Sequence, residues 1–330
     1  MYTIMASLIK LTYPWCNPLK FMDKEKQIIN KLERLLKKIK RPKGRFGMFL
    51  SGGIDSALLA ALLKPDIVFT ARFPYGVKYD EFEYTMATIK HLKLPYNVTI
   101  PRKENFKQFL PGALKMYKKT SHFSLVPLYL LFQAAQAHGI KTIVSGEGPD
   151  EYLGGYASYS FITHEQALYN APELQNYHPA LDKYLGSPME RFAKILKLDP
   201  AKLKPYWGKH KNLLSKMGYS DLKLRGIEEM ELALAKGHGI KLLYPYMNNE
   251  IEKFCFKEVP DNMKIRGFIT KWILRRVAEK YLPKKVVWRK NKMGGPVAPI
   301  GLWLGEKDEF SKDKYLKLQD EIIRNHYRVR

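Results

Sequence analysis

The sequence of 330 residues predicts an α/β fold, in which a doubly wound parallel sheet is followed by a mainly helical C-terminal extension. Two patterns lead to this prediction. Buried runs of strand length alternate with helical periodicity through the first half of the chain, which is typical of parallel sheets with helices on both faces. Beyond about Tyr159 there is no comparable strand pattern, and prolines interrupt the helical stretches. The predicted domains are an N-terminal segment over 1–22, an α/β core over 23–165 and a helical extension over 166–330.

Hydrophobic periodicity places the individual elements. A basic amphipathic helix lies within Lys24–Arg45, because Ile28, Leu32, Leu35 and Ile39 recur there at helical spacing. The predicted strands, which are short apolar runs, are Arg45–Leu50, Asp66–Phe73, Tyr96–Ile100 and Lys141–Ser145. The further predicted helices, which follow a helical apolar pattern, are Ser56–Leu63, Tyr79–Leu92, Ser124–His138, Gly226–Ala235 and Phe268–Tyr281.

The charge balance is strongly basic, with 57 lysines and arginines against 32 acids and a formal net charge of +25. This balance favours an anionic partner. The lysines of Lys24–Arg45 are most simply the solvated face of the amphipathic helix, so contact with a nucleic acid stays open but is not favoured. No apolar run reaches about 20 residues, which argues against a membrane span. Cys16 and Cys255 stand far apart without metal-ligand spacing, and a cytoplasmic protein fits best.

The stretch SGGIDS follows the first predicted strand and opens a helix. Gly52 and Gly53 allow backbone amides to approach an anion, and the helix directs its positive end at the same point. Ser51 and Ser56 add hydroxyl donors. The Walker lysine is absent, and Asp55 stands in the loop instead, where a carboxylate can face phosphates only through a cation such as Mg²⁺. The loop is thus predicted to hold pyrophosphate as a leaving group; a tight turn with a capping aspartate is the alternative.

A second glycine turn, SGEGPDEYLGGY, follows the fourth predicted strand. If the chain later continues on the other side of its first strand, strands one and four are neighbours in the sheet. Such folds bind ligands in the crevice between these two strands. Asp55 and Asp150 could then share one Mg²⁺ ion. Glu147 is expected nearby, in a position that suits contact with the substrate or proton transfer, and a solvated loop glutamate is the alternative.

Three ordered stretches of the sequence resemble those of a known family. SGGIDS resembles the pyrophosphate-binding loop of the N-type ATP pyrophosphatases, and SGEGPDEYLGGY closely resembles the second signature of the asparagine synthetases. The stretch Thr270–Gly295, TKWILRRVAEKYLPKKVVWRKNKMGG, is similar to that family's late KxxLR helix with its LP, WR and glycine-bearing loop. The resemblance covers roughly Lys24 to Leu304. It implies that the chain corresponds to the synthetase domain of this family. The implied fold is that of the PP-loop ATP pyrophosphatases, which is adenine nucleotide alpha hydrolase-like.

The resemblance also implies a ligase that uses ATP and Mg²⁺. In the family a carboxylate, that of aspartate, attacks the α-phosphate and releases pyrophosphate, and ammonia then displaces AMP to give the amide. The residues that match the family's binding positions are Ser51, Gly52, Gly53 and Ser56 for pyrophosphate, Phe49, Ala71, Ser145 and Gly146 for adenosine, and Asp55 and Asp150 for Mg²⁺. Two residues take the catalytic roles. Glu147 would contact the substrate's amino group or take a proton from ammonia, and Lys271, on the Phe268–Tyr281 helix, would neutralise charge at the α-phosphate.

The sequence departs from the family pattern at three places. Tyr2 stands where a full enzyme has the cysteine nucleophile of its glutaminase domain, so we expect no glutaminase here and a possible separate glutaminase partner. The family's RxPFLD stretch appears as LYPYMN at Leu243–Asn248, and Thr120–Phe123 replaces the usual Thr-Thr-x-Arg. The last two changes concern the residues that surround the acid in the family, so adenylation of another carboxylate stays open. The alternatives from other classes are a transfer-RNA-modifying enzyme that adenylates an RNA base and a non-catalytic ATP-binding homologue.

Overall fold

The structure of the chain is a computed structural model that describes residues 18–75, 80–121, 123–170, 186–224, 229–289, 299–307 and 313–327. Some sequence-based predictions fall outside these residues. They concern Tyr2 and Cys16, the predicted helix starts at Tyr79 and Gly226, and the glycine-bearing end of the third family stretch after Arg289.

Five parallel strands form one sheet in the described part of the chain. They are β1 Gly47–Phe49, β2 Ile67–Ala71, β3 Tyr96–Thr99, β4 Thr142–Val144 and β5 Lys241–Leu243. Their order across the sheet is β3-β2-β1-β4-β5, and Gly47 of β1 pairs with Ile67 of β2 and with Ile143 of β4. The sheet therefore grows in both directions from β1, and the predicted neighbourhood of the first and fourth strands is confirmed.

Helices make up most of the remaining described residues. In chain order they are α1 Pro18–Lys37, α2 Ile54–Leu63, α3 Phe82–Leu92, α4 Lys103–Tyr117, α5 Leu125–Ala137, α6 Pro149–Leu153, α7 Ala157–Tyr169, α8 Pro188–Leu196, α9 Pro200–Trp207, α10 Leu213–Leu224, α11 Glu229–Gly237, α12 Asn249–Lys257, α13 Asp261–Lys264, α14 Trp272–Ala278, α15 Lys284–Val287, α16 Ile300–Trp303 and α17 Asp313–Tyr327. Parallel strands that alternate with helices confirm the predicted α/β class, and the later part of the chain is mainly helical as expected.

The C-terminal extension contains a strand that the sequence does not predict. Strand β5 pairs in parallel with β4 and extends the sheet at that edge. It has only three residues, and Tyr244 and Pro245 follow directly after it. A run of three residues is too short to show the alternation that identifies a strand, so the expectation of no strand beyond Tyr159 was wrong.

The helix predicted over Phe268–Tyr281 is shorter in the structure. Arg266 and Ile269 form an isolated β-bridge, and the helix α14 begins only at Trp272. Lys271 precedes the helix as its N-cap residue, with a φ of 52° that helical backbone does not allow. The prediction that Lys271 lies on the helix is therefore corrected, and Lys271 belongs to the turn before it.

The described chain packs as two compact units, each assembled from three segments. The first, which we call the sheet unit, contains residues 40–148, 222–247 and 281–330. The second, which we call the helical unit, contains residues 1–39, 149–221 and 248–280. The sequence-based domain limits at residues 22 and 165 stay a prediction, because compactness alone does not identify independently folding domains.

The sheet unit has an apolar core between the sheet and the helices α4, α5, α11 and α17. Aromatic rings fill much of it, and Phe49 meets Phe132 edge to face with ring centroids 4.7 Å apart. Other large buried members are Phe69, Phe106, Leu110, Ile143, Leu234 and Tyr315. This packing fixes the strands whose carboxyl ends carry the predicted nucleotide-binding residues.

In the helical unit, α1 packs against α12 and α14. Its apolar Leu32 and Leu36 are buried, while Lys37 and Lys38 are exposed. The prediction of an amphipathic helix with a solvated basic face is confirmed, although the helix ends at Lys37 and not near Arg45. No helix in the described ranges combines the length and the apolar character that crossing a membrane requires.

Candidate active site

The first glycine turn lies in the sheet unit, where the chain passes from β1 to α2. The Leu50 N–H still donates to the Phe69 carbonyl at 2.9 Å, and beyond it the chain leaves the sheet. Helix α2 starts at Ile54 with Gly53 as its N-cap residue, which has no side chain to cap the first-turn N–H groups. The first-turn N–H groups and the positive end of the helix dipole are thus suited to an anion, as the sequence predicts.

The two serines of this turn bind the loop itself. The Ser51 N–H donates to the Ser56 hydroxyl at 3.2 Å, the two hydroxyl oxygens lie 3.1 Å apart, and the Gly53 N–H donates to Ser51 Oγ at 3.2 Å. Ser56 is buried, whereas Ser51 is exposed. The Ser51 hydroxyl is therefore the better placed of the two to reach a bound phosphate, and Ser56 orders the loop.

Asp55 lies in the first turn of α2 and is only 8% exposed. A carboxylate at this end of a helix is stabilised by the helix dipole. The buried hydroxyl of Tyr246 donates to the Asp55 backbone carbonyl at 2.9 Å. Burial, and secondarily the charge of Asp55, raises the pKa of Tyr246 well above its usual value, so this hydroxyl stays protonated and remains a donor. Tyr246 thereby ties the start of α2 to the segment after β5.

The second glycine turn meets the first one, as the sequence predicts. The Ser145 N–H donates to the Leu243 carbonyl at 2.9 Å, which keeps the turn at the edge shared by β4 and β5. A Cβ atom on Gly146 would lie 3.0 Å from the Ser56 backbone nitrogen, so the backbone of this turn approaches the start of α2 closely. Glu147 follows and is half-buried. The structure thus brings Glu147 to the same end of the sheet as the first turn.

The predicted adenosine positions lie on three neighbouring strands or directly after them. Phe49 ends β1, Ala71 ends β2, and Ser145 and Gly146 follow β4. Because all strands are parallel, these residues share the carboxyl edge of the sheet, where folds of this type bind ligands. The Phe49 ring itself packs against Phe132 in the core. Their contact with adenosine stays a prediction.

In the helical unit, Asp150 and Lys271 form an ion pair. The Lys271 Nζ atom lies 2.7 Å from Asp150 Oδ1, and the exposed fractions of the two side chains are 2% and 20%. Such a distance is that of a charge-assisted hydrogen bond. The residue predicted to bind a metal and the residue predicted to neutralise a phosphate thus contact each other directly.

The backbone of Lys271 is unusual among the described residues. Five non-glycine residues have a positive φ, and all are lysines. Four of them end a helix in the left-handed conformation, a common way to finish one, namely Lys64, Lys93, Lys118 and Lys197. Lys271 instead precedes a helix, where this conformation costs about 1–2 kcal/mol without such a role. Strain of this kind points to a constraint on the side chain, which the ion pair with Asp150 supplies.

Gly155, near the end of the second glycine turn, makes room for this ion pair. A Cβ atom at this position would lie 1.8 Å from Asp150 Oδ1 and 2.2 Å from Lys271 Cε. No other residue type fits without displacing one of the two side chains. The Gly155 N–H also donates to the Asp150 carbonyl at 2.8 Å, so the turn closes around the pair.

Glu151, next to Asp150, is fully buried beneath the turn. Burial raises its pKa to about 7, the neighbouring charges of Asp150 and Asp221 act in the same direction, and a hydrogen bond from the Tyr156 hydroxyl opposes them. The buried Tyr159 hydroxyl donates to Asp221 at 2.6 Å. The Tyr156 hydroxyl therefore binds the carboxyl group of Glu151, and the Tyr159 hydroxyl binds that of Asp221.

A self-sufficient metal centre is not present in the described ranges, because no three His, Cys, Asp or Glu side chains there are arranged to hold an ion. Mg²⁺ commonly takes one or two carboxylates and completes its octahedron with water and phosphate oxygens. Asp55 belongs to the sheet unit and Asp150 to the helical unit. Their sharing of one ion stays a prediction.

Two residues near the first turn were not among the predicted site residues. Tyr246 lies within LYPYMN, the stretch that departs from the family pattern. Arg289 donates from Nη1 to the Gly52 carbonyl at 2.7 Å, although the sequence marks it only as part of the third family stretch. The WR pair inside an otherwise lysine-rich run is the signal that could have drawn attention to it.

Known proteins of one family are similar to this chain. The family model described as asparagine synthase matches residues 28–324. The chain is similar to the glutamine-hydrolysing asparagine synthetase 1 of Bacillus subtilis (strain 168), with 25% identity, 85% of this chain covered and 51% of that protein. It is also similar to a putative glutamine-hydrolysing asparagine synthetase of Mycobacterium bovis, with 26% identity, 78% of this chain covered and 45% of that protein.

Among solved structures, a U34-tRNA thiolase of Methanococcus maripaludis is similar over 80% of this chain and 78% of its own, with 14% identity and a TM-score of 0.32. The chain spans about half the length of the curated relatives it matches. The glycine turns, their acidic residues and the ordered third stretch all fall inside residues 28–324, and the chain belongs to the asparagine synthase family.

Proposed function

We propose that this protein is an ATP-dependent amide ligase of the asparagine synthetase type. In the first step an oxygen of a carboxylate attacks the α-phosphorus of ATP, and the bond to the bridging oxygen of the β-phosphate breaks, so that pyrophosphate leaves and an acyl adenylate forms. In the second step ammonia attacks the acyl carbon, loses a proton and displaces AMP. The products are the amide, AMP and pyrophosphate.

The sheet unit would supply the site for the leaving pyrophosphate. Its first glycine turn leads into the N-terminus of α2, whose first-turn N–H groups and positive dipole end favour a polyanion, and the exposed residue Ser51 lies in this turn. The carboxylate of Asp55 takes the place where a Walker loop has its lysine, so the turn is not built to hold a phosphate for transfer to another group. This replacement is the observation that carries the proposal of an AMP- and pyrophosphate-forming reaction.

Asp55 and Asp150 would hold Mg²⁺. The metal would supply neutralisation of the negative charge on the phosphate oxygens. Lys271 would stabilise the charge that develops at the α-phosphate, and its burial increases the strength of that interaction because little water competes with it. The ion pair with Asp150 supports this proposal, since it fixes the Lys271 side chain in one orientation.

Glu147 would act on the incoming amine or on the amino group of the acid. It lies half-buried one residue after Gly146, at the carboxyl edge of the sheet. A carboxylate in this position can accept the proton that ammonia loses when the amide bond forms. The proposed acid is aspartate and the proposed product is asparagine, because the similar curated proteins are described as asparagine synthetases.

Free ammonia is the proposed nitrogen donor for the chain in isolation. The curated relatives are described as glutamine-hydrolysing, and the chain matches about half of their length. In the cell, the ammonia could come from a separate glutaminase partner. With ammonium salts as the nitrogen source, the purified chain is expected to form the amide.

The exchange of labelled pyrophosphate into ATP tests the first step directly. We expect exchange in the presence of Mg²⁺ and aspartate, and the test includes a panel of other carboxylic acids and unmodified transfer RNA. Formation of ADP would overturn the proposal, and exchange that depends on RNA alone would favour the transfer-RNA-modifying alternative. The variant Asp55→Asn should lower exchange by about 10²-fold or more through loss of a metal ligand. Asp199→Asn is the control, because Asp199 caps the exposed start of α9 and asparagine caps equally well.

A further inference from the structure

Arg289 reaches the first glycine turn from the segment that follows α15. The side chain is 3% exposed, and its Nη1 atom donates to the Gly52 carbonyl oxygen at 2.7 Å. Burial lowers its pKa to about 10, which leaves it protonated at neutral pH. A buried cation thus lies directly behind the turn that is proposed to bind pyrophosphate.

The guanidinium group is held on two further sides by α3 and the residue before it. Its Nη2 atom forms an ion pair with Glu81, and its plane lies over the Tyr84 ring at 4.6 Å from the ring centroid. Arginine suits this environment because its planar, rigid fork can bind two acceptors and stack at once. The position of the guanidinium group is therefore determined independently of the glycine turn.

Gly52 is the residue that admits this arrangement. A Cβ atom on Gly52 would lie 2.6 Å from Arg289 Nη1 and 2.8 Å from the Glu81 carbonyl oxygen. From the sequence, Gly52 is expected to allow close approach of an anion. In the structure the space beside its Cα is taken by Arg289 and Glu81.

The peptide unit between Gly52 and Gly53 is consequently fixed at both ends. Its carbonyl oxygen accepts from Arg289, and its N–H donates to Ser51 Oγ at 3.2 Å. A peptide group is planar, so fixing both atoms defines the orientation of the whole unit. Glycine-rich turns otherwise have many accessible backbone conformations, and selecting one of them in advance lowers the entropy lost on ligand binding.

We propose that Arg289 is a positioning residue, which orders the first glycine turn through the Gly52 carbonyl and is itself oriented by Glu81 and Tyr84. The claim that the ordered turn binds a pyrophosphate group rests on the proposed function. The ordering of the turn does not, and the two parts are tested separately.

The first test is hydrogen–deuterium exchange of the ligand-free protein over the peptide that contains Ser51–Gly53. We expect exchange about tenfold faster or more in Arg289→Gln than in the wild type, because a hydrogen bond to a charged group is lost. The matched control is Lys285→Gln. Lys285 joins the same parts of the chain through Glu83 at 2.8 Å and lies 5.6 Å from the centroid of the same Tyr84 ring, but no bond from it to the turn is described. Wild-type exchange in Arg289→Gln, or equal acceleration in both variants, would overturn the proposal.

The second test is the affinity for magnesium pyrophosphate, measured by calorimetry. We expect binding weaker by about 10- to 100-fold in Arg289→Gln, intermediate in Arg289→Lys and unchanged in Lys285→Gln. Millimolar guanidinium ion should restore part of the affinity to Arg289→Ala, which a general loss of stability would not allow. If Arg289→Gln does not fold, Arg289→Lys and Glu81→Gln take its place in both tests. A wild-type protein that binds no magnesium pyrophosphate would contradict the proposed function, while the exchange test would still decide the role of Arg289.

Discussion

The ammonium group of Lys271 lies 2.7 Å from the carboxylate of Asp150, and each side chain neutralises the other in the helical unit. The two residues are proposed to act on different parts of one nucleotide complex, the metal and the α-phosphate. Because a desolvated charge without a counter-charge is costly, the ion pair stabilises both side chains in the folded protein. The pair thus links the stability of the helical unit to the residues proposed for catalysis.

The first prediction concerns the energy of this pair. Lys271→Met and Asp150→Asn should each lower the free energy of unfolding by about 1–3 kcal/mol, because each removes one charge of an ion pair whose ammonium group is buried. The double variant should lose less than the sum of the two. Urea denaturation of the wild type, the two single variants and the double variant measures the coupling energy between the two side chains. The same cycle on Lys31 and Glu258, a pair whose side chains are 44% and 47% exposed, should give a coupling below about 1 kcal/mol. Additive losses at Lys271 and Asp150 would contradict the prediction.

The second prediction concerns Gly155. In Gly155→Ala the new Cβ atom must displace Asp150 or Lys271, since it would lie 1.8 Å from one side chain and 2.2 Å from the other. Misplacement of this size is expected to lower pyrophosphate exchange by about 10²-fold. Gly208→Ala is the control in the same unit, because a Cβ atom there meets nothing within 4 Å. Exchange at the wild-type rate in Gly155→Ala would show that the geometry of the pair does not matter to the reaction.

The third prediction separates the two half-reactions at Glu147. Glu147→Gln keeps the shape of the side chain but removes the base. Pyrophosphate exchange should change little, while amide formation from ammonia should fall by about 10²–10⁴-fold. Lys271→Ala should behave in the opposite way and lose exchange itself. If exchange also collapses in Glu147→Gln, the glutamate orients the acid and not the amine.

The fourth prediction is a pH dependence of stability that arises from Glu151. Burial raises the folded-state pKa of this carboxyl to about 7, against 4.5 for an ordinary glutamate. The folded state therefore binds the proton more tightly than the unfolded state. This contribution to stability is complete below about pH 4.5 and is lost as the pH rises through 7. Relative to Glu151→Gln, the wild type should lose up to about 3 kcal/mol over this window. The prediction is wrong if the free energies of unfolding of the wild type and Glu151→Gln differ by the same amount at every pH from 4.5 to 7.5.

Local sequence patterns were sufficient for much of the fold. The strands that end before SGGIDS and SGEGPDEYLGGY are apolar runs with glycines directly after them, and both lie where the sequence places them. The apolar helix α5 begins and ends within one residue of its prediction. The contact between the two glycine turns also follows from topology alone, because a sheet that grows in both directions from β1 must place β4 beside it.

Interactions across long sequence separations could not be derived in the same way. The ion pair of Asp150 with Lys271 and the hydrogen bond of Arg289 to Gly52 join residues far apart in the chain, and no periodicity marks them. Lys271 was placed on a helix because the residues after it have helical spacing, and spacing does not reveal a positive φ. Helix α4 was missed for a local reason, since Pro111 and Gly112 interrupt its pattern although Pro111 lies inside the helix.

The interleaving of the two units has a consequence for how the protein is made. Each unit is assembled from three separated segments, and roughly a hundred residues must emerge from the ribosome between β4 and its partner β5. Until then β4 has an open edge, on which other unfinished chains can pair. The segment that carries Lys271 is synthesised later still. Folding during synthesis is therefore expected to depend on chaperones or on rapid completion, and fragments that stop before β5 are expected to aggregate.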